Sequence, residues 1–228
     1  MGSPASSPAA ATATSSKLSR VQLCKLVKTF GATDALRGVD GQLCAGELTV
    51  IEGPNGSGKS TLLRIIGTIL EPTSGHVDYE PLGRDRPRVR PEIGWLSHEA
   101  LAYGDLSGRD NITLAARLHG LDPTQAWRRA REQFELGRFA ERPLRTNSRG
   151  QRQRIALARA LVHQPSLILL DEPTTGLDRA SVQRLVRQVE EAVDRGAIVA
   201  VVSHEPAVFG ALGGARIVLR RGKVVDAA

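Results

Sequence analysis

Cysteine, aromatic residues and long apolar runs are all scarce in this 228-residue chain. The two cysteines, Cys24 and Cys44, fall in neither a Cys-x-x-Cys pair nor a Cys/His metal spacing, which argues against a zinc module. Free thiols in a reducing compartment are expected rather than a Cys24–Cys44 bridge. Aromatics make up 4% of the residues, too few for a platform that stacks single-stranded nucleic acid. No stretch approaches the roughly 18 apolar residues of a membrane-spanning helix. The longest aliphatic run, Ala197–Val202, has the length of a buried strand. MGSPASSPAAATATSS at residues 1–16 is not expected to act as a secretory leader, since it has neither a basic start nor an apolar centre. Residues 1–17 are expected to form a disordered tail and residues 18–228 a single domain.

What the chain does have is positive charge and a regular alternation of apolar segments. The net charge is +7, and nine arginines stand against three glutamates between Arg128 and Arg154. Such a balance suits nucleic acid, an anionic membrane surface, a phosphate-rich ligand or a solvated helix face. The pattern predicts strands at Arg20–Thr29, Ala35–Leu43, Leu48–Glu52, Ile93–Ser97, Leu167–Leu170 and Ala197–Ser203, and a closing hairpin around Arg221–Gly222. Helices are predicted at Lys59–Leu70 and Arg179–Asp194, with a helical stretch from Arg109 to Glu141 broken near Gly120–Pro123. Arg84–Pro91 reads as a loop. Strands alternating with helices imply a layered α/β fold.

Two segments carry chemistry. Gly53-Pro54-Asn55-Gly56-Ser57-Gly58-Lys59-Ser60 fits G-x-x-x-x-G-K-[ST] and lies between a strand and a helix. Backbone N–H groups of such a loop wrap phosphates, and the helix start adds its positive end. Lys59 supplies a point charge for the β/γ-phosphates, and Ser60 a Mg²⁺ ligand. The second segment, Leu167–Glu172, is a buried strand that delivers two acids at its C-terminal end. Asp171 would hold the metal and Glu172 would polarise an attacking water.

With these and three further motifs in order, the chain resembles the nucleotide-binding subunit of ABC transporters from about Leu18 to its end. Asn147-Ser148-Arg149-Gly150-Gln151 is similar to the family's Leu-Ser-Gly-Gly-Gln signature. Gly176-Leu177-Asp178 is similar to its D-loop, and His204 to its switch histidine. Phe30 stands where the family places an aromatic against adenine. Ser148 and Gln151 also make an S-x-x-Q capping box at a helix start. The resemblance implies a P-loop NTPase core, a mostly parallel sheet flanked by helices. To it are added an antiparallel β subdomain and a small helical subdomain at about residues 99–150. It implies ATP and Mg²⁺, with nucleotide contacts from Phe30, Gly53 to Thr61, Ser148, Arg149, Gly150, Gln151 and Asp178. Metal contacts would come from Ser60, Asp171 and His98, and catalysis from Glu172 and His204. It implies a head-to-tail homodimer, peripheral on the cytoplasmic face of a bacterial inner membrane, driving a separate permease, with no nucleic acid as partner.

Three departures matter. Asn147 replaces the signature Leu, Arg149 replaces its first Gly, and His98 stands where the family has Gln. A histidine there titrates near neutral pH. Trp95-Leu-Ser-His98-Glu and Ser148-Arg-Gly-Gln-Arg-Gln-Arg154 are most similar to the haem-exporter ATPase subunits of cytochrome c maturation. Other small-molecule, drug or lipid exporters share these features. A cassette acting on nucleic acid, and one that binds ATP without hydrolysis, also stay open.

Overall fold

The computed structural model describes residues 18–97 and 102–227. The tail at 1–17 and His98 lie outside the described residues. In chain order the main elements are β1 (Arg20–Phe30), β2 (Thr33–Cys44), β3 (Glu47–Glu52), α1 (Lys59–Ile66), β4 (Ser74–Glu80), α2 (Arg86–Val89) and β5 (Ile93–Leu96). Then follow α3 (Gly108–Leu118), α4 (Pro123–Gln133), α5 (Arg149–Leu161), β6 (Leu167–Asp171), α6 (Arg179–Asp194), β7 (Ile198–Val202), β8 (Ala215–Arg220) and β9 (Lys223–Ala227).

One sheet has the order β5-β6-β7-β3-β8-β9 and is parallel except for β9. The other is antiparallel, β2-β1-β4. The expected class, a mostly parallel nucleotide-binding core with an antiparallel β subdomain, is the observed one. Every residue of β6 and β7 is buried because both faces of the sheet are covered. Alternation then divides each strand between two cores. Leu167, Leu169, Ile198, Ala200 and Val202 pack with α1 and the antiparallel sheet. Ile168, Leu170, Val199 and Val201 pack with α3 to α6. Burying each of the Leu, Ile and Val side chains contributes roughly 2 kcal/mol.

Several predicted elements are revised. Helix α1 ends at Ile66 rather than Leu70. Gly67 lies against the Trp95 ring, with room for no Cβ, and Thr68 turns left-handed at φ 58°. The Tyr79 hydroxyl donates to the freed Ile66 carbonyl at 2.6 Å, closing the helix end. Arg84–Pro91 contains a turn of helix, α2, started by the Asp85 cap, and then a 3-10 turn at Arg90–Glu92. Strand β4 has no counterpart in the sequence reading. Both cysteines are free: Cys44 pairs with Arg20 and Cys24 with His76, so their strands never bring them opposite one another.

Candidate functional site

The three central strands end in one row. Ile51 of β3 and Asp171 of β6 both pair with Val202 of β7, from opposite sides. The segments that leave these ends therefore converge: the glycine-rich loop after β3, Glu172 after β6, and His204 after β7. They enclose a cleft of about 470 Å³ lined among others by Asn55, Lys59, Ser60, Asp171, Glu172 and His204. Chemistry at the carboxyl ends of strands is the rule for such sheets.

The cleft is built for phosphate. Gly58 is the N-cap of α1, at φ 107°, and a Cβ there would sit 2.6 Å from the Ala35 carbonyl oxygen. Only glycine fits, and α1 accordingly has no side-chain cap, so its first turn faces the cleft with its N–H dipoles. Lys59 Nζ donates to the carbonyls of Gly53 and Pro54 at 2.8 and 3.1 Å, which holds the ammonium across the loop. Ser57 is 2% exposed and its hydroxyl has no partner in the protein. An orphan buried donor beside a lysine and a helix start fits a phosphate oxygen.

Ser60 and Asp171 both line the cleft, and Asp171 is buried. A hydroxyl and a carboxylate are hard oxygen donors that suit Mg²⁺. No group of three or more His, Cys, Asp or Glu able to hold a metal occurs among the described residues. The pair thus fits an ion that keeps water and phosphate for most of its shell.

Glu172 adopts φ 52°, a strained left-handed conformation for a side-chain-bearing residue. Its N–H donates to the Val202 carbonyl at 2.8 Å, which fixes the turn. The carboxylate accepts the His204 N–H at Oε2, 3.2 Å away. Its other oxygen, Oε1, is 3.2 Å from His204 Nε2 yet makes no hydrogen bond of good geometry. Oε1 is thus a buried acceptor without a hydrogen-bond partner in the protein, on a carboxylate fixed at the cleft wall.

Other expected site residues lie elsewhere. Phe30 is half exposed at the end of β1, with Lys28 Nζ 5.0 Å from its ring centroid, and does not line the cleft. Ser148, Arg149, Gly150 and Gln151 form the start of α5, also away from it. The capping box is present: Gln151 N–H donates to Ser148 Oγ at 3.3 Å and Ser148 N–H to Gln151 Oε1 at 3.1 Å. The Ser148 hydroxyl proton remains free to donate outward. Asp178 caps α6 by accepting the Ser181 N–H at 2.7 Å, and that bond holds its carboxyl below the usual carboxylate range. The sequence reading missed Ala35, Arg64 and Val202 in the cleft lining. Arg64 was accessible from spacing, one helical turn after Ser60.

The model of the ABC transporter family matches residues 36–175. A cytochrome c biogenesis ATP-binding export protein of Cupriavidus metallidurans is 37% identical over 172 residues, 74% of this chain and 82% of that protein. A daunorubicin resistance ATP-binding protein of Streptomyces coeruleorubidus is 38% identical over 170 residues, 71% of this chain and 54% of that protein. The dimeric structure of a post-hydrolysis state of the ATP-binding cassette MJ0796 bound to ADP and Pi superposes with a TM-score of 0.83 at 30% identity, covering 91% of this chain and 97% of that one. An export protein and a drug-resistance protein stand equally near, so these likenesses share an ATPase and not a cargo. The chain belongs to the ABC transporter family, as an ATP-binding ATPase subunit.

Proposed function

We propose that this ATPase works as a head-to-tail homodimer on the cytoplasmic face of a bacterial inner membrane and drives a separate permease that exports haem for cytochrome c maturation. The observation that carries the ATPase chemistry is the convergence of Lys59, Ser60, Asp171, Glu172 and His204 on one cleft. Among the described residues no helix is long and apolar enough to cross a membrane. The haem assignment rests on the 37% identity to the cytochrome c biogenesis protein. The 38% identity to the daunorubicin resistance protein supports a second reading, a drug exporter.

ATP enters with its phosphates on the Gly53–Thr61 segment and its adenine toward Phe30. Lys59 and the first turn of α1 neutralise the β/γ-phosphates. A Mg²⁺ ion held by Ser60 and Asp171 would supply further charge neutralisation when bound. The Glu172 carboxylate accepts a proton from water as the water oxygen attacks the γ-phosphorus and ADP leaves. His204 keeps the carboxylate aimed. Ser148, Gly150 and Gln151 of a second copy close the site, with Asp178 of that copy alongside, the Ser148 hydroxyl donating to the γ-phosphate.

Purification of tagged Glu172→Gln chain from its native membranes, in mild detergent with ATP, tests the assignment. A multi-span permease accompanied by haem-handling proteins is the expected result. A permease without them would remove the haem cargo, and nucleic acid or soluble partners alone would remove the transport role.

A further inference from the structure

The positive charge of the chain is concentrated in one place. Residues 102–161 hold twelve arginines and no lysine against six acids. Five of those acids are already engaged: Asp105 with Arg145, Glu135 with Arg184 and Glu141 with Arg109, while Asp110 and Asp122 cap α3 and α4. Arg117, Arg128, Arg131 and Arg138 are exposed and make no ion pair or side-chain hydrogen bond among the described residues. Unpaired charges of one sign raise the local potential and attract an anionic surface.

These arginines surround a second cleft, of about 370 Å³, between α3, α4 and the 3-10 turn Arg138–Glu141. Arg109 and Arg117 line it from α3, Thr124 and Trp127 from α4, and Glu141 from the turn. Arg128 and Arg131 stand one turn beyond Thr124 and Trp127, so they continue the α4 wall. Residues three apart share a face of a 3-10 turn, which puts Arg138 on the side of Glu141. The Trp127 ring is only 7% exposed, with the Arg109 guanidinium 5.9 Å from its centroid, so no aromatic face is offered for a base to stack on.

We propose that this cleft takes the headgroup of an acidic glycerophospholipid, and that the arginines around it hold α3 and α4 against an anionic membrane surface. The proposal rests on the reading of a chain held at a membrane and adds a contact with the lipid itself, independent of any permease. The headgroup phosphate meets Arg109 and Arg117. A headgroup hydroxyl donates to Glu141, a carboxylate that would repel a bare chain of phosphates. Arg117, Arg128, Arg131 and Arg138 face the neighbouring headgroups.

Flotation of the purified full chain with vesicles, without permease, tests this. Vesicles of equal parts phosphatidylglycerol and phosphatidylcholine should carry the chain at about 150 mM salt, and phosphatidylcholine alone should not. Combining Arg117→Gln, Arg128→Gln, Arg131→Gln and Arg138→Gln should weaken binding on the order of several hundredfold, roughly fivefold for each arginine. The same loss of charge at Lys25, Arg88, Arg187 and Lys223, exposed elsewhere on the chain, should weaken it by less than about tenfold. Thr124→Trp fills the cleft without altering charge and should cost about tenfold, because a charge-assisted contact is lost. Thermal melts are the folding control; if the fourfold arginine variant melts early, Thr124→Trp decides. No flotation with the anionic vesicles would overturn the proposal, as would equal losses in the two fourfold variants or an unaltered Thr124→Trp. So would a DNA or RNA duplex bound at the same salt and lost in the arginine variant, which would assign the face to nucleic acid. A chain that copurifies with a permease but does not float would remove the lipid site alone, since the membrane reading falls only with the copurification.

Discussion

His204 holds Glu172 by its backbone and not by its ring: its N–H donates to Oε2 at 3.2 Å, while Nε2 approaches Oε1 at 3.2 Å without hydrogen-bond alignment. The backbone bond survives substitution of the side chain, so the two residues should fail differently. Glu172→Gln removes the proton acceptor and should lower kcat by about 100-fold or more, the usual worth of a general base. His204→Ala leaves the carboxylate in place and should cost less, roughly 10-fold, because the backbone bond to Oε2 is kept and only the ring beside Oε1 is lost. Steady-state ATPase rates of the two variants check the order. Equal losses would show that the ring, too, is required for the chemical step.

The glycine at the head of α1 is a tightly constrained point of the cleft. Gly58→Ala places a methyl 2.6 Å from the Ala35 carbonyl oxygen at φ 107°. Strain of this kind costs about 1–3 kcal/mol, relieved only by moving the loop. ATP affinity should fall by at least 10-fold, with a measurable drop in Tm. Thermal melts with and without ATP separate the two effects: the stabilisation by nucleotide should shrink more than the melting temperature itself.

The parts of the fold legible in the sequence are those where local pattern and burial agree. Leu167–Leu170 is apolar because both faces of the strand are covered, and Asp171 and Glu172 follow at its carboxyl end, beside the cleft. Ser148 and Gln151 were readable because capping is local chemistry. Strand β4 was not, because Ser-Gly-His-Val-Asp-Tyr-Glu offers only Val77 and Tyr79 as apolar positions, and its strand state comes from pairing with β1. The end of α1 was missed for a tertiary reason, the Trp95 ring against Gly67. The signature motif revealed that Arg149 departs from the family pattern, but not that its stem lies against Gly176, on a loop more than twenty residues away in the chain.

His119 and His163 stack face to face, ring centroids 3.7 Å apart, beside a cavity shared with Trp95 and Arg159. Burial, followed by the neighbouring His119, pushes His163 down to about 4, and burial also lowers His119 against the opposing pull of Glu92. Between the ordinary value of 6.5 and about 4, the unfolded chain binds a proton at His163 that the folded chain excludes. Folding stability is therefore complete above pH 6.5 and declines as pH falls through that window, by up to about 3 kcal/mol. His163→Phe keeps a ring in the stack and should flatten the fall in Tm between pH 7 and pH 5. An unaltered slope would place the acid sensitivity in other groups.

Asn147 occupies the place of the signature leucine and pays for it locally. It is 4% exposed, and neither Oδ1 nor Nδ2 meets a hydrogen-bond partner in the protein. A buried amide left in that condition costs about 1–3 kcal/mol. Leucine has the same branched skeleton, with two methyl groups in place of the amide oxygen and nitrogen, so Asn147→Leu should enter the same space with little strain. The backbone bond from Asn147 N–H to the Leu144 carbonyl, 3.1 Å, does not involve the side chain and should persist. Asn147→Leu is therefore expected to stabilise the chain by about 1–2 kcal/mol, raising Tm by roughly 2–8 °C. Asn147→Ala removes the unpaired groups but also leaves a hole, so it should gain less than Leu. A Tm that falls in both Asn147→Leu and Asn147→Ala would mean that the amide is held by ordered water, and that its polarity at the start of the signature is satisfied after all.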